Sequence, residues 1–73
     1  MPKLGHFPGT EVCRILEQRG FQMIRQRGSH AVMQKLDGIS TVTVPVPMHR
    51  EVRIGTLSSI IRQSGVPKAA FEV

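Results

Sequence analysis

The fold is decided between Phe21 and Val46, in the stretch FQMIRQRGSHAVMQKLDGISTVTVPV. Three runs rich in apolar residues, Phe21 to Arg27, His30 to Leu36 and Ile39 to Val46, are separated by Gly28-Ser29 and Asp37-Gly38. Both dipeptides suit two-residue hairpin turns. The first puts glycine where a II′ turn needs it, and the second is an Asp-Gly pair of the I′ kind. Five of the six residues from Ile39 to Val44 are β-branched, which favours a pleated strand. Pro45 and Pro47 end that strand or confine its end to a sheet edge, because proline donates no ladder hydrogen bond. The stretch predicts a three-stranded antiparallel meander.

Two-residue turns imply a register. Arg27 pairs with His30, Arg25 with Val32 and Ile24 with Met33; Leu36 pairs with Ile39, and Met33 with Val42. One face then carries Ile24, Ala31, Met33, Val42 and Val44, and is assigned to the core. The other carries Arg25, Arg27, His30, Thr41 and Thr43 near one end, with Phe21, Met23, Val32, Leu36 and Ile39 toward the other. A one-residue slip would exchange the faces of a strand.

Helical spacing flanks the meander on both sides. Val12, Ile15, Leu16 and Arg19 recur at helical intervals and Gly20 follows. Leu57, Ile60 and Ile61 repeat the device ahead of Gly65, and Pro67 prevents continuation. A glycine after each stripe suits the left-handed position past a helix end. The tail from Pro67 to Val73 reads as one more short turn, pinned by Phe71. The order is α-β-β-β-α, and helices covering one face of the sheet make a two-layer α+β domain.

With 73 residues the chain is expected to form a single domain over residues 1–73, with 1–8 as an N-terminal arm. Such a chain buries only about 60–65% of the surface its unfolded form exposes. A doubly wound nucleotide-binding sheet, a barrel enzyme and a deep self-walled pocket are excluded, so any chemistry takes place on a surface, on an extended substrate or with a partner completing the site. No apolar run reaches the roughly 18 residues that span a bilayer, and the first residues lack a signal-peptide core. The one cysteine, Cys13, has no partner for an internal disulfide or a metal-ligand pair. The expectation is a reduced, cytoplasmic protein with no cofactor and no metal.

Charge is uneven. Ten basic and five acidic residues give +5, and seven of the ten are arginine, the better fork for phosphate. Residues 1–36 hold six basic and two acidic side chains, residues 37–73 four and three. Between Glu17 and Asp37 there is no acid, only Arg19, Arg25, Arg27 and Lys35, a pattern suited to a polyanion. There is no Trp or Tyr, and Phe21 and Phe71 read as packing residues, so the sheet offers no base-stacking platform. Binding is expected through backbone and shape, in the layout of double-stranded-RNA-binding domains.

The inventory of reactive groups is short. No pair of acids is spaced for joint acid/base work, and no nucleophile elbow is visible. His30 follows Gly28-Ser29 at a hairpin tip with Arg27 opposite, and an imidazole beside a guanidinium suits proton abstraction from a ribose 2′-hydroxyl. Ser29 can hydrogen-bond a phosphate or simply complete the turn. His49, held by the flanking prolines, is a possible second acid/base group, a phosphate contact, or a loop residue satisfying backbone groups. His6 reads as surface, and Cys13 as a small buried or boundary residue. From these residues alone, an endoribonuclease, a non-catalytic RNA-binding module and a protein-interaction domain all remain open.

Four motifs together resemble the HicA (YcfA-like) toxin family: Gly20-Phe21, Gly28-Ser29-His30, Thr43 through His49, and Gly55-Thr56-Leu57 with Ile60 through Gly65. The resemblance runs from about Gly9 to Phe71. It implies a double-stranded-RNA-binding-like fold and a metal-independent endoribonuclease that cleaves messenger RNA. It also implies a HicB-type antitoxin that masks the active site. The catalytic histidine of the family's Gly-Ser-His motif corresponds to His30; His49 matches the second motif histidine. On this reading Arg25, Arg27, Ser29 and Lys35 hold the RNA backbone. The antitoxin would cover the apolar face of Phe21, Met23, Val32 and Ile39 and, with it, His30.

Overall fold

Glycine closes both hairpins. In the computed structural model, which describes residues 3–73, the sheet consists of β1 (Gln22–Arg27), β2 (His30–Asp37) and β3 (Ser40–Pro47) in the order β1-β2-β3. Both neighbour pairs are antiparallel. Helix α1 (Gly9–Glu17) precedes the sheet, α2 (Ile54–Ser64) follows it, and a 3-10 turn (Lys68–Phe71) closes the chain. This is the α-β-β-β-α order, and the α+β class, that the sequence predicts.

The first turn is the expected one. Arg27 pairs with His30 and Arg25 with Val32, and Gly28 takes φ 56°. The second turn is displaced: Asp37 pairs with Ser40, so the two turn residues are Gly38 and Ile39. The reason lies in the backbone. A I′ turn on Asp37-Gly38 needs positive φ at both positions, whereas a II′-type turn needs it only at the first. Gly38 supplies it with φ 66°, and no described non-glycine residue has positive φ. Leu36 therefore faces Thr41, and Met33 faces Val44 rather than Val42. A shift of two residues keeps every side chain on its face, so Val42 and Val44 stay on the core side as expected.

β1 departs further from expectation. A bulge between Met23 and Arg25 brings Met23, not Ile24, opposite Met33. Ile24 is 48% exposed and Met23 41%, so neither is a core residue, and Met23 lies on the core side of the ladder. Phe21, assigned to the open face, is instead buried. The apolar face of Phe21, Met23, Val32 and Ile39 does not exist as one surface. Ile39 stands alone at the hairpin tip, fully exposed.

One core joins both helices to β2 and β3. Ala31, Met33, Val44 and Val46 of the sheet are fully buried with Val12 and Leu16 of α1 and Leu57 and Ile60 of α2. Each of these side chains larger than alanine stabilises the fold by about 1.5–3 kcal/mol on burial. Past α1, Gly20 has φ 95° and the Phe21 N–H donates to the Leu16 carbonyl at 3.1 Å. Past α2, Gly65 has φ 74° and donates to the Ile61 carbonyl at 3.1 Å. Both glycine-terminated helices match the sequence reading.

Residues 3–7 of the N-terminal arm are tied to the end of the chain and to the loop before α2. Leu4 bridges Glu72, the Gly5 N–H donates to the Phe71 carbonyl at 2.8 Å, and Phe7 stacks edge-on to Phe71 at 6.1 Å. Phe71 is fully buried, the pin expected of it. Among the described residues no helix is long and apolar enough to cross a membrane.

Candidate active site

An open groove of about 340 Å³ runs between β3 and α2. Its sheet side is formed by His30, Pro45 and Pro47, its far end by His49 and Arg53, and its helix side by Thr56, Ser59, Ile60 and Gln63. The groove gathers two imidazoles and a guanidinium and has no carboxylate in its lining.

The ladder places the sheet residues. His30 and Pro47 are cross-strand partners, as are Val32 and Pro45, so both prolines share a face with His30. Counting from the hydrogen-bonded closing pair Asp37↔Ser40, every second pair is non-hydrogen-bonded, and Pro45 and Pro47 fall in that set. Their missing N–H groups would have faced away from β2, toward the edge where α2 packs. β3 thus continues through both prolines and ends at Pro47, as an edge strand can. This rigid strand end carries the chain directly to His49.

The loop of His49 is tied down on two sides. The Gly9 N–H donates to the His49 carbonyl at 2.9 Å, and the Val52 N–H donates to the Phe7 carbonyl at 2.7 Å. The Met48 N–H donates to the Ser29 carbonyl, linking the turn before His30 to the exit of β3. Gly9 is needed for this approach: a Cβ there would overlap the Pro47 carbonyl and lie 2.7 Å from Met48 Cα. The sequence view of His49 as well positioned holds, and its supports are long-range. Arg53 stands at the N-terminal end of α2, a turn without a side-chain cap or an acidic residue, where the helix dipole adds partial positive charge.

The residues singled out from sequence divide into two sets. His30 and His49 come together in the groove. Arg27 faces His30 across the ladder and Arg25 faces Val32, so both extend the basic character of the open face beyond the groove. The Ser29 hydroxyl lies 3.5 Å from His30 Nδ1, long for a hydrogen bond. Lys35 does not join them. It pairs with Val42 on the core side of the sheet, and its ammonium sits 5.8 Å from the centroid of the Phe21 ring. Thr41 and Thr43 also lie away from His30, because the displaced turn puts Pro47 opposite His30 and Pro45, in place of Thr43, opposite Val32.

Arg53 and the α2 wall were not singled out from sequence. Arg53 is one of seven arginines with no local signature. The usable signal was indirect: α2 presents Thr56, Ser59 and Gln63 at helical spacing on a polar stripe beside Ile60. Cys13 does not line the groove; its Sγ contacts Met48 Sδ at 3.9 Å. Burial, with the nearby Glu17 charge, pushes its thiol pKa up, as for a packing residue rather than a nucleophile. His6 pairs with Glu51 at 3.1 Å on the surface. Among the described residues no three His, Cys, Asp or Glu side chains gather as a metal-ligand set.

Residues 9–66 match a family model described as the HicA toxin of bacterial toxin-antitoxin. No curated protein matches the chain.

Proposed function

The chain belongs to the HicA toxin family, and on that premise we propose that it is a metal-independent endoribonuclease that cleaves messenger RNA in the cytoplasm. One observation carries this reading: His30, His49 and Arg53 line one open groove that has no carboxylate in its lining. Two imidazoles suit the two proton transfers of internal transesterification. His30 takes the proton of a ribose 2′-hydroxyl as that oxygen bonds to the adjacent phosphorus. The bond from phosphorus to the 5′-oxygen breaks, and His49 donates a proton to the departing oxygen. Arg53 offsets the charge that builds on the phosphoryl oxygens. Arg27 and Arg25 hold the backbone approaching the groove, with a strong salt dependence. Ser29 orders the turn. Lys35, stacked on Phe21, has no part in the reaction.

The toxin reading implies a partner of opposite charge. A HicB-type antitoxin covers the His30 face, with acidic groups set against Arg25, Arg27 and Arg53. The test is incubation of purified protein with a messenger RNA in EDTA. Fragments ending in a 2′,3′-cyclic phosphate, each followed by a 5′-hydroxyl fragment, are expected. Binding without cleavage would leave a non-catalytic RNA-binding module of the same fold, and EDTA-sensitive cleavage or 5′-phosphate ends would overturn the mechanism.

A further inference from the structure

The loop that delivers His49 and Arg53 to the groove, residues 48–53, belongs to neither helix nor strand. Its geometry depends on ties from elsewhere, and three of them come from the segment before α1. The Gly9 N–H donates to the His49 carbonyl at 2.9 Å, His6 Nδ1 lies 3.1 Å from Glu51 Oε2, and the Val52 N–H donates to the Phe7 carbonyl at 2.7 Å. The His6–Glu51 pair is exposed and contributes little by itself. Phe7 is different. Its ring meets the fully buried Phe71 edge-on at 6.1 Å, and Gly5 approaches it so closely that a Cβ there would lie 2.8 Å from Phe7 Cζ. Residues 3–5 in turn pair with residues 71–73: the Gly5 N–H donates to the Phe71 carbonyl at 2.8 Å and the Val73 N–H to the Lys3 carbonyl at 2.9 Å. Together these contacts form a clasp centred on Phe7. It lies outside residues 9–66, the stretch that matches the family model, and none of its residues lines the groove.

We propose that Phe7 is a positioning residue: seated on Phe71, it fixes the backbone at Val52 and, through that loop, the His49 imidazole and the Arg53 guanidinium. The inference rests on the nuclease reading above and adds to it a residue from outside the groove. A proton donor works only within hydrogen-bond reach of the leaving oxygen, and a misplacement of about 1 Å can cost about 100-fold in rate. Without the clasp, the loop keeps the Val52 side chain in the core and the Gly9 hydrogen bond to His49, but loses the support at Glu51 and the Val52 amide. His49 and Arg53 are assigned to the reacting groups, whereas Arg25 and Arg27, which hold the RNA backbone, stand on β1. Loosening the loop therefore lowers kcat and leaves KM in place.

The test compares Phe7→Ala and Phe7→Leu with Val42→Ala, which trims packing against the same core nearer the other end of β3. Cleavage of one RNA substrate is followed at a temperature where circular dichroism shows every variant folded. Phe7→Ala should lower kcat by about 10- to 100-fold with KM within about threefold of the parent. Phe7→Leu, which keeps an apolar group against Phe71, should return kcat to within about threefold, and Val42→Ala should hold both constants there. A Phe7→Ala protein as fast as the parent, a loss that falls in KM, an equal loss in Val42→Ala, or a Phe7→Leu protein as slow as Phe7→Ala would overturn the proposal. Amide hydrogen exchange separates it from the nuclease reading. In Phe7→Ala the acceleration at the Val52 amide should exceed that at Val44, in the β2–β3 ladder, by about tenfold or more. Equal acceleration would mean that Phe7 serves only global stability, and would overturn its positioning role. If the parent cleaves no RNA, the nuclease reading fails, and the exchange ratio alone decides whether Phe7 holds the loop.

Discussion

Alanine at Gly9 and alanine at Gly55 should act in opposite directions, although both sites lie in the first turn of a helix. Replacing helical glycine by alanine ordinarily stabilises by about 0.5–1 kcal/mol, because the unfolded chain loses freedom. At Gly55 nothing lies within 4 Å of the added methyl, so that gain is available, reduced near a helix end to a few tenths up to about 1 kcal/mol. At Gly9 the methyl would overlap the Pro47 carbonyl and sit 2.7 Å from Met48 Cα. Both neighbours are backbone, so relief requires α1 or the exit of β3 to move. Overpacking of this kind costs about 1–3 kcal/mol or more, and the movement also strains the hydrogen bond from Gly9 to the His49 carbonyl. The net effect of Gly9→Ala is a loss of about 1–2 kcal/mol, or roughly 4–16 °C in Tm for a chain of this size. Urea unfolding of the two variants beside the parent measures both values. Because Pro47 and His49 line the groove, Gly9→Ala should also lower RNA cleavage below its folded fraction, whereas Gly55→Ala should not. A Gly9→Ala protein as stable as the parent would show that the close approach of α1 to β3 does not hold the site together.

Removing the His30 ring should leave the fold within about 1 kcal/mol of the parent, since the residue is exposed at a hairpin end, and should cut RNA cleavage by about 100- to 10,000-fold. A His30→Ala protein that cleaves near the parent rate, measured on the same RNA, would move the general base to His49. Arg53→Ala should lower cleavage by tenfold or more and exceed Lys35→Ala in that effect, because only Arg53 lines the groove. Lys35→Ala should instead cost up to about 1 kcal/mol of stability in urea, through its lost place over the Phe21 ring; the reverse ranking in cleavage would refute the division of the site. The Cys13 thiol is buried and its pKa is raised by burial and by Glu17, so at neutral pH less of it is thiolate than in an ordinary cysteine. Its reaction with a disulfide reagent should be slow in the native protein and fast in guanidinium; rapid native labelling would contradict the packing of α1 against Met48.

Local chemistry made much of the fold legible. Gly20 and Gly65 end helices, and Gly28 turns a hairpin, because each supplies a left-handed backbone that other residues resist; such requirements are met within a few residues of chain. Alternation from Ala31 to Met33 and from Val42 to Val46 shows which side of each strand is buried, and even the misplaced second turn preserved that side. The first turn, at Gly28-Ser29, placed Arg27 opposite His30. What sequence alone did not determine depends on how separated segments pack. The second turn followed Gly38 because a positive φ at Asp37 costs more than shifting the pairing by two, and that shift set Pro47 rather than Pro45 opposite His30. The β1 bulge removed Ile24 from the core, an event with no local mark. Lys35 read as one cation in an acid-free run, yet its strand position turns it toward Phe21. Arg53 and Gln63 became residues of the groove only when α2 settled along the proline edge of β3. That placement is made by Leu57 and Ile60 entering the common core, and no spacing within α2 states where the core lies.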